Sequence, residues 1–303
     1  MDQFNVYKDM KARTNGEIYI GVVGPVRTGK STFIKRFMNL MVLPNIEDEN
    51  DRNRANDELP QSSSGKTIMT TEPKFVPNEA VSIKTEEGIE LNVRLIDCVG
   101  YMVEGATGHM EGEEERLVKT PWFDYEIPFT KAAAIGTKKV ITEHSTIGVV
   151  VTCDGSFGEI AAKQYEPAEE ETIKQLKALK KPFVVLLNTI HPYSESTKQL
   201  AAEKEEKYQT KVLPMNLEQM KKEDIYEIIK SVLMEFPISS IGFYVPRWTE
   251  MLKKDHPLKM ELLQMARDVI TEKTTMRDIY EEQEKEYEYI TGQKLESVAM
   301  DSG

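Results

Sequence analysis

Gly24-Pro25-Val26-Arg27-Thr28-Gly29-Lys30-Ser31 reads G-x-x-x-x-G-K-S and lies between a strand-like run and a helix-like run. The spacing has a physical reason. Wrapping backbone N–H groups around a diphosphate needs residues that tolerate unusual dihedrals and present no obstructing side chain, which Gly24 and Gly29 supply. Lys30 can then reach β- and γ-phosphate oxygens, and the Ser31 hydroxyl faces the Mg²⁺ that bridges them. Gly24, Arg27, Thr28, Gly29, Lys30, Ser31 and Thr32 form the candidate nucleotide-binding set here. A glycine turn before an ordinary helix would share the pattern, so the flanks decide. Residues 17–23 are a short apolar run with β-branched members, and 31–41 carry Phe33, Ile34, Phe37, Met38 and Met41 at helical spacing.

Composition narrows the classes. The chain has 303 residues, enough for one large domain and a smaller one, and 40% hydrophobic content supports a core. No run approaches the roughly eighteen apolar residues of a membrane span. Residues 1–13 are polar and of mixed charge, without the apolar segment of a secretory signal, so a cytoplasmic location is expected. A net charge of −12 argues against broad nucleic-acid binding. Cys98 and Cys153 lie in or at the end of apolar runs and read as buried thiols, and the four histidines form no metal-ligand pair.

Residues 44–66, rich in Asn, Asp, Glu and Ser, read as an exposed loop. They lead into Gly65-Lys66-Thr67-Ile68-Met69-Thr70-Thr71-Glu72-Pro73. In phosphate-loop switch proteins a loop between the first helix and second strand delivers a threonine to Mg²⁺ and the γ-phosphate, a role that Thr70 or Thr71 fits; β-propensity alone would also place two threonines before a strand. The next two strands favour the switch reading. Residues 80–85 and 91–97 are strands joined by a turn at 86–88, so the second strand pairs antiparallel at the sheet edge. The third ends in Asp97-Cys98-Val99-Gly100, where Asp97 can hold the Mg²⁺ shell and the Gly100 amide can sense the γ-phosphate.

Segment 101–146 is long for this connection. Its acidic run 111–115 reads as solvated, while Trp122, Phe123, Tyr125 and Phe129 either pack on the core or form a partner surface. Strands at 147–153, 182–188 and 212–215 then alternate with helices at 169–180, 194–208 and 217–235. The pattern predicts an α/β fold: a doubly wound, mostly parallel sheet with one antiparallel edge strand, of the phosphate-loop NTPase type. After 237 the alternation stops. A linking strand at 238–245 and helices at 248–253 and 258–290 come next, so 1–237 is expected to be the nucleotide domain and 238–303 the start of an incomplete, mainly helical middle region.

Two departures shape the chemistry. Where GTP-binding proteins carry Asn-Lys-x-Asp, this chain has Asn188-Thr189-Ile190-His191. A neutral imidazole cannot accept the two hydrogen bonds of the guanine edge, which points to ATP. Where Ras-like switches place glutamine after Asp-x-x-Gly, Tyr101 stands and cannot orient water in that way. Arg27, in the glycine loop, could supply positive charge in cis, or it points to solvent or pairs with an acid.

Together the loop 24–31, the stretch from Asp57-Glu58-Leu59-Pro60-Gln61-Ser62 through Pro77, Asp97-Cys98-Val99-Gly100-Tyr101, and Glu143-His144-Ser145-Thr146-Ile147-Gly148-Val149-Val150 resemble the stage IV sporulation protein A family of spore-coat ATPases. The resemblance implies a Mg²⁺-dependent ATPase that self-assembles into a polymer on the mother-cell side of the forespore outer membrane, as the base of the coat. It implies as partners a small amphipathic membrane-anchoring peptide and other coat proteins, with no nucleic acid. It implies descent from translation-factor-like GTPases. Carried onto this chain, it makes Lys30 a phosphate contact, assigns Ser31 and Asp97 to Mg²⁺, and makes Thr70 and Thr71 γ-phosphate sensors; Thr71 joins the Mg²⁺ set as the switch-loop threonine. Asn188 is counted with the nucleotide set and Arg27 with the catalytic one. Family members are longer, with a C-terminal region for recruitment and assembly. The alternative is a nucleotide-binding scaffold or GTPase-like switch without significant turnover.

Overall fold

The computed structural model describes residues 17–60, 72–84, 90–111, 114–158, 160–238 and 241–280. In chain order these form β1 (Glu17–Val23), α1 (Lys30–Phe37), α2 (Glu49–Asp57), β2 (Lys74–Lys84) and β3 (Glu90–Asp97). Two small ribbons come next, β4 (Met110–Glu111) with β5 (Glu114–Glu115) and β6 (Leu117–Thr120) with β7 (Phe123–Pro128). Then come α3 (Phe129–Lys139), β8 (Ile147–Cys153), α4 (Ala162–Ala178), β9 (Phe183–Asn188), α5 (Glu195–Tyr208), β10 (Val212–Met215), α6 (Lys222–Met234), α7 (Pro257–Glu272) and α8 (Met276–Tyr280).

The sheet runs β10-β9-β8-β1-β3-β2, and every neighbouring pair is parallel except β2 with β3 at the edge. The expected α/β fold and its antiparallel edge strand are therefore present. Strand composition explains the burial. In β9, Val184 and Leu186 join a core shared with α1 and α6, while Phe183, Val185 and Leu187 join a second core shared with α4 and α5. A strand covered on both faces has no polar side to present, hence the unbroken apolar run. On α6, Ile225, Ile228, Ile229, Val232 and Leu233 recur at helical spacing and all are buried. Each such side chain contributes about 1.5–3 kcal/mol by leaving water. Cys98 and Cys153 are buried free thiols.

Several expectations need correction. The supposed loop 44–66 contains α2, opened by the Asp48 carboxylate, which accepts the Asn50 and Asp51 amides at 2.8 and 3.0 Å. Ala55 is its one buried residue, so it has no apolar stripe and only its cap announces it. Helix 169–180 begins instead at Ala162, where burial of Tyr165 and Ala168 offsets Pro167 inside the helix. Helix 217–235 starts at Lys222. The linking strand 238–245 is not formed among its described residues; Pro237 makes a single bridge to Thr275, and Tyr244 and Val245 are exposed, without a strand partner. The helix at 248–253 is a short 3-10 turn, Arg247–Met251. Helix 258–290 breaks at Thr274 and Thr275, whose amides go to the Asp278 carboxylate at 2.9 and 2.7 Å. Its part beyond 280, and the turn 86–88, lie outside the described residues.

The insertion after β3 folds as the two ribbons plus α3, and α3 continues into a π-helical turn, Val140–His144. Its aromatics divide: Phe129 is fully buried with the Arg116 guanidinium 4.5 Å from its ring centroid, whereas Tyr125 is 61% exposed. Among the described residues no helix is long and apolar enough to cross a membrane.

Candidate functional site

The site lies at the carboxyl ends of β1, β3, β8 and β9, where β1 separates β3 on one side from β8 on the other. That is where α/β sheets bind ligands. The loop after β1 turns on glycines that nothing else could replace. Gly24 has φ 127° and Gly29 φ 102°. A Cβ on Gly24 would meet the Val151 carbonyl oxygen at 2.5 Å, and one on Gly29 the Asn188 Nδ2 at 2.6 Å. Arg27, with φ 62°, also sits in the left-handed region.

Local bonds hold this loop. The Thr28 hydroxyl donates to the Pro25 carbonyl at 3.0 Å. The buried Lys30 ammonium donates to the Pro25 and Gly24 carbonyls at 2.5 and 3.4 Å. Burial lowers the Lys30 pKa because the charged form loses solvation, against the raising influence of Cys98 and Asp97. Thr32 is half-buried in the first turn of α1. A long-range tie is added at the back: Asn188 Nδ2 donates to the Thr28 carbonyl at 3.0 Å, while its Oδ1 accepts the Leu217 amide at 3.3 Å.

Asp97 ends β3 opposite Val22 of β1. The Ser31 hydroxyl donates to its Oδ2 at 3.3 Å, and its buried Oδ1 has no hydrogen-bond partner among the described residues. Desolvation pushes its pKa up to about 6, partly opposed by the Lys30 charge and the Ser31 hydrogen bond. Gly100, with φ 96°, passes so close that a Cβ would lie 2.2 Å from the Gly24 carbonyl oxygen and 2.6 Å from Lys30 Nζ. Lys30, Ser31, Asp97 and Gly100 are thus brought together.

The Gly100 amide donates to the hydroxyl of Thr137 on α3 at 3.1 Å. Tyr101 is laced to the glycine loop by Val26 N–H to its carbonyl at 2.9 Å and its own N–H to the Gly24 carbonyl at 3.3 Å. Its hydroxyl goes to Gln175 Oε1 on α4 at 2.7 Å, and burial pushes its pKa up to about 12. Arg27 is exposed and donates to the carbonyl and hydroxyl of Thr107, each at 3.3 Å. His191 lies at the surface beyond Asn188, its amide on the Thr189 hydroxyl at 3.1 Å. Thr70 and Thr71 lie outside the described residues. Thr137 and Gln175 escape sequence reasoning: a threonine and a glutamine inside helices carry no local mark of contact with residues 37 and 74 positions away.

Comparison with known proteins gives the family. The family model described as the ATPase domain of stage IV sporulation protein A matches residues 1–237, and that of its middle domain matches 238–303. Curated relatives named stage IV sporulation protein A include one from Clostridioides difficile, 54% identical over 91% of this chain and 56% of its own length. Another, from Bacillus anthracis, is 47% identical over 100% of this chain and 62% of its own length. A third, from Bacillus subtilis, is 46% identical with the same coverage. The chain spans about three fifths of the length of the relatives it matches. With an ATPase-domain match over most of its length and relatives near half identity, the chain belongs to the stage IV sporulation protein A family.

Proposed function

We propose that this chain binds ATP in the Gly24–Ser31 loop and hydrolyses it in a phosphate-loop NTPase site. The observation that carries the reading is the convergence of Lys30, Ser31 and Asp97, with Asp97 Oδ1 buried and, among the described residues, without a hydrogen-bond partner. A buried carboxylate oxygen without a donor suits a cation, and a carboxylate beside a hydroxyl suits Mg²⁺, which keeps waters and takes few protein oxygens. No group of three or more His, Cys, Asp or Glu side chains that could hold a metal occurs among the described residues, consistent with a metal held jointly with a phosphate. Ser31 and Asp97 would hold it, with Thr71 as a further candidate. When bound, Mg²⁺ neutralises charge on the phosphate oxygens.

Lys30 folds back on the Pro25 and Gly24 carbonyls, which stand in for the phosphate oxygens it would contact. Positioning and charge stabilisation supply most of the barrier reduction in phosphoryl transfer, so Lys30 and the loop amides hold the γ-phosphoryl group while Arg27 adds charge at the rim. Thr70 and Thr71 are the candidates for sensing the γ-phosphate. Asn188 props the loop from behind. His191 in place of an aspartate discards the guanine edge and favours ATP over GTP.

On this reading 1–237 is the ATPase domain and 238–303 the start of the middle region. The chain acts in the mother-cell cytoplasm at the forespore surface, in a self-assembled layer that supports the coat, with a small amphipathic anchoring peptide and other coat proteins as partners. A second reading, a nucleotide-binding scaffold without turnover, is favoured by Tyr101, which stands in the place of the water-orienting glutamine and bonds to Gln175 through its hydroxyl.

Phosphate release with Mg²⁺ and either ATP or GTP, for wild type and Lys30→Ala, separates these. ATP turnover that disappears in the variant is expected. Nucleotide binding without turnover supports the scaffold, and preference for GTP overturns the base assignment.

A further inference from the structure

The Gly100 N–H is the group expected to detect a γ-phosphate, yet here it is already engaged. Its acceptor is the hydroxyl of Thr137, fully buried on α3 and 3.1 Å away. That hydroxyl donates its own proton to the Ala133 carbonyl at 2.8 Å, one turn back along α3, so its free lone pairs face Gly100. The neighbouring residue cannot swing: Tyr101 is tied to Gly24 and Val26 by backbone bonds and to Gln175 through its hydroxyl. The Gly100 peptide itself is held by the Thr137 hydroxyl, beside the Cys98 thiol, and its positive φ is a conformation that glycine adopts readily. Lys30 Nζ, the other donor beside Gly100, is likewise occupied by protein carbonyls.

We propose that Thr137 is a positioning residue for the γ-phosphate sensor: it competes with the γ-phosphate for the Gly100 N–H, so ATP but not ADP must displace it. The inference rests on the nucleotide reading above. Its consequence is coupling. When Gly100 exchanges acceptors, α3 loses one of its ties to the site, and with it the β6–β7 ribbon that leads directly into α3. The presence of a γ-phosphate is thereby passed to the insertion, with no movement of the glycine loop required.

The test compares affinities of wild type, Thr137→Val and Thr137→Ser for ADP and for the non-hydrolysable analogue β,γ-imido-ATP, each with Mg²⁺. Valine keeps the shape and removes the competing acceptor; serine keeps the acceptor. One neutral hydrogen bond sets the scale, so Thr137→Val should raise the affinity ratio of ATP analogue to ADP about three- to tenfold, with Thr137→Ser near wild type. Equal change for both nucleotides, or a fall in the ratio, overturns the proposal. In wild type, hydrogen exchange across α3 should rise with the ATP analogue and not with ADP. Unchanged exchange overturns the coupling without recourse to a variant. If wild type binds neither nucleotide, the nucleotide reading fails and this inference with it; binding with an unaltered ratio removes the inference alone.

Discussion

Two glycine-bearing segments meet in the site and are held in opposite ways. The loop 24–31 has bonds of its own, through Thr28 and Lys30 on carbonyls three to six residues back, beside its ties to Tyr101, Thr107 and Asn188. The segment 97–101 sends bonds far away in sequence, to Thr137 and Gln175 on two different helices. A loop held in part by local bonds keeps that part whenever its strand and helix are formed. One built from distant bonds changes with whatever moves those helices, which suits the first to gripping and the second to reporting.

The largest effect should come from the gripping side. Lys30→Ala is expected to lower ATP turnover by roughly a hundredfold or more, since it removes charge from a preorganised site. Phosphate-release assays check it, and wild-type turnover would break the assignment of this loop as the catalytic end.

Next comes Asp97, where the segments touch. Its folded pKa of about 6 lies above the ordinary 3.8. The folded state therefore holds the proton more tightly between those values. The contribution is favourable at low pH and is lost as pH rises through about 6, amounting to roughly 3 kcal/mol at most. In chelator, denaturation midpoints should fall between about pH 4 and 6 for wild type, and Asp97→Asn should flatten that dependence.

Asn188→Ala sharpens the contrast further, because Asn188 ties the gripping loop to a distant strand. Losing its bonds to the Thr28 carbonyl and the Leu217 amide leaves buried groups unpaired, for about 2 kcal/mol of destabilisation in urea unfolding. A change under about 0.5 kcal/mol would mean that the loop needs no prop. Arg27→Ala should be smallest in stability, within about 0.5 kcal/mol for an exposed side chain, yet should lower kcat about tenfold if its charge serves the phosphates. Unchanged kcat would leave Arg27 a structural role such as its bonds to Thr107.

Legibility tracks the range of the interactions. β1, β8 and β10 are readable to the residue, since their runs are apolar except for Glu17 at the start of β1 and the buried Thr152 of β8. α2 escapes a reading by periodicity because its apolar signal is one alanine. The strand expected at 238–245 is absent among its described residues because β-propensity needs a neighbouring strand, and Pro237 finds only a bridge. Of the site, Lys30, Ser31 and Asp97 are legible from motif spacing, and their meeting is what the parallel order of β1 and β3 delivers.

The amino-acid order by itself determined the α/β alternation, the glycine loop and the strand-ending aspartate, because periodicity and backbone freedom are properties of neighbours along the chain. Only the tertiary structure decided which acceptor the Gly100 amide holds, where Tyr101 sends its hydroxyl, and which aromatics of the insertion are core. Those depend on how α3 and α4 pack against the sheet. Partners chosen by packing leave no periodic trace in the sequence.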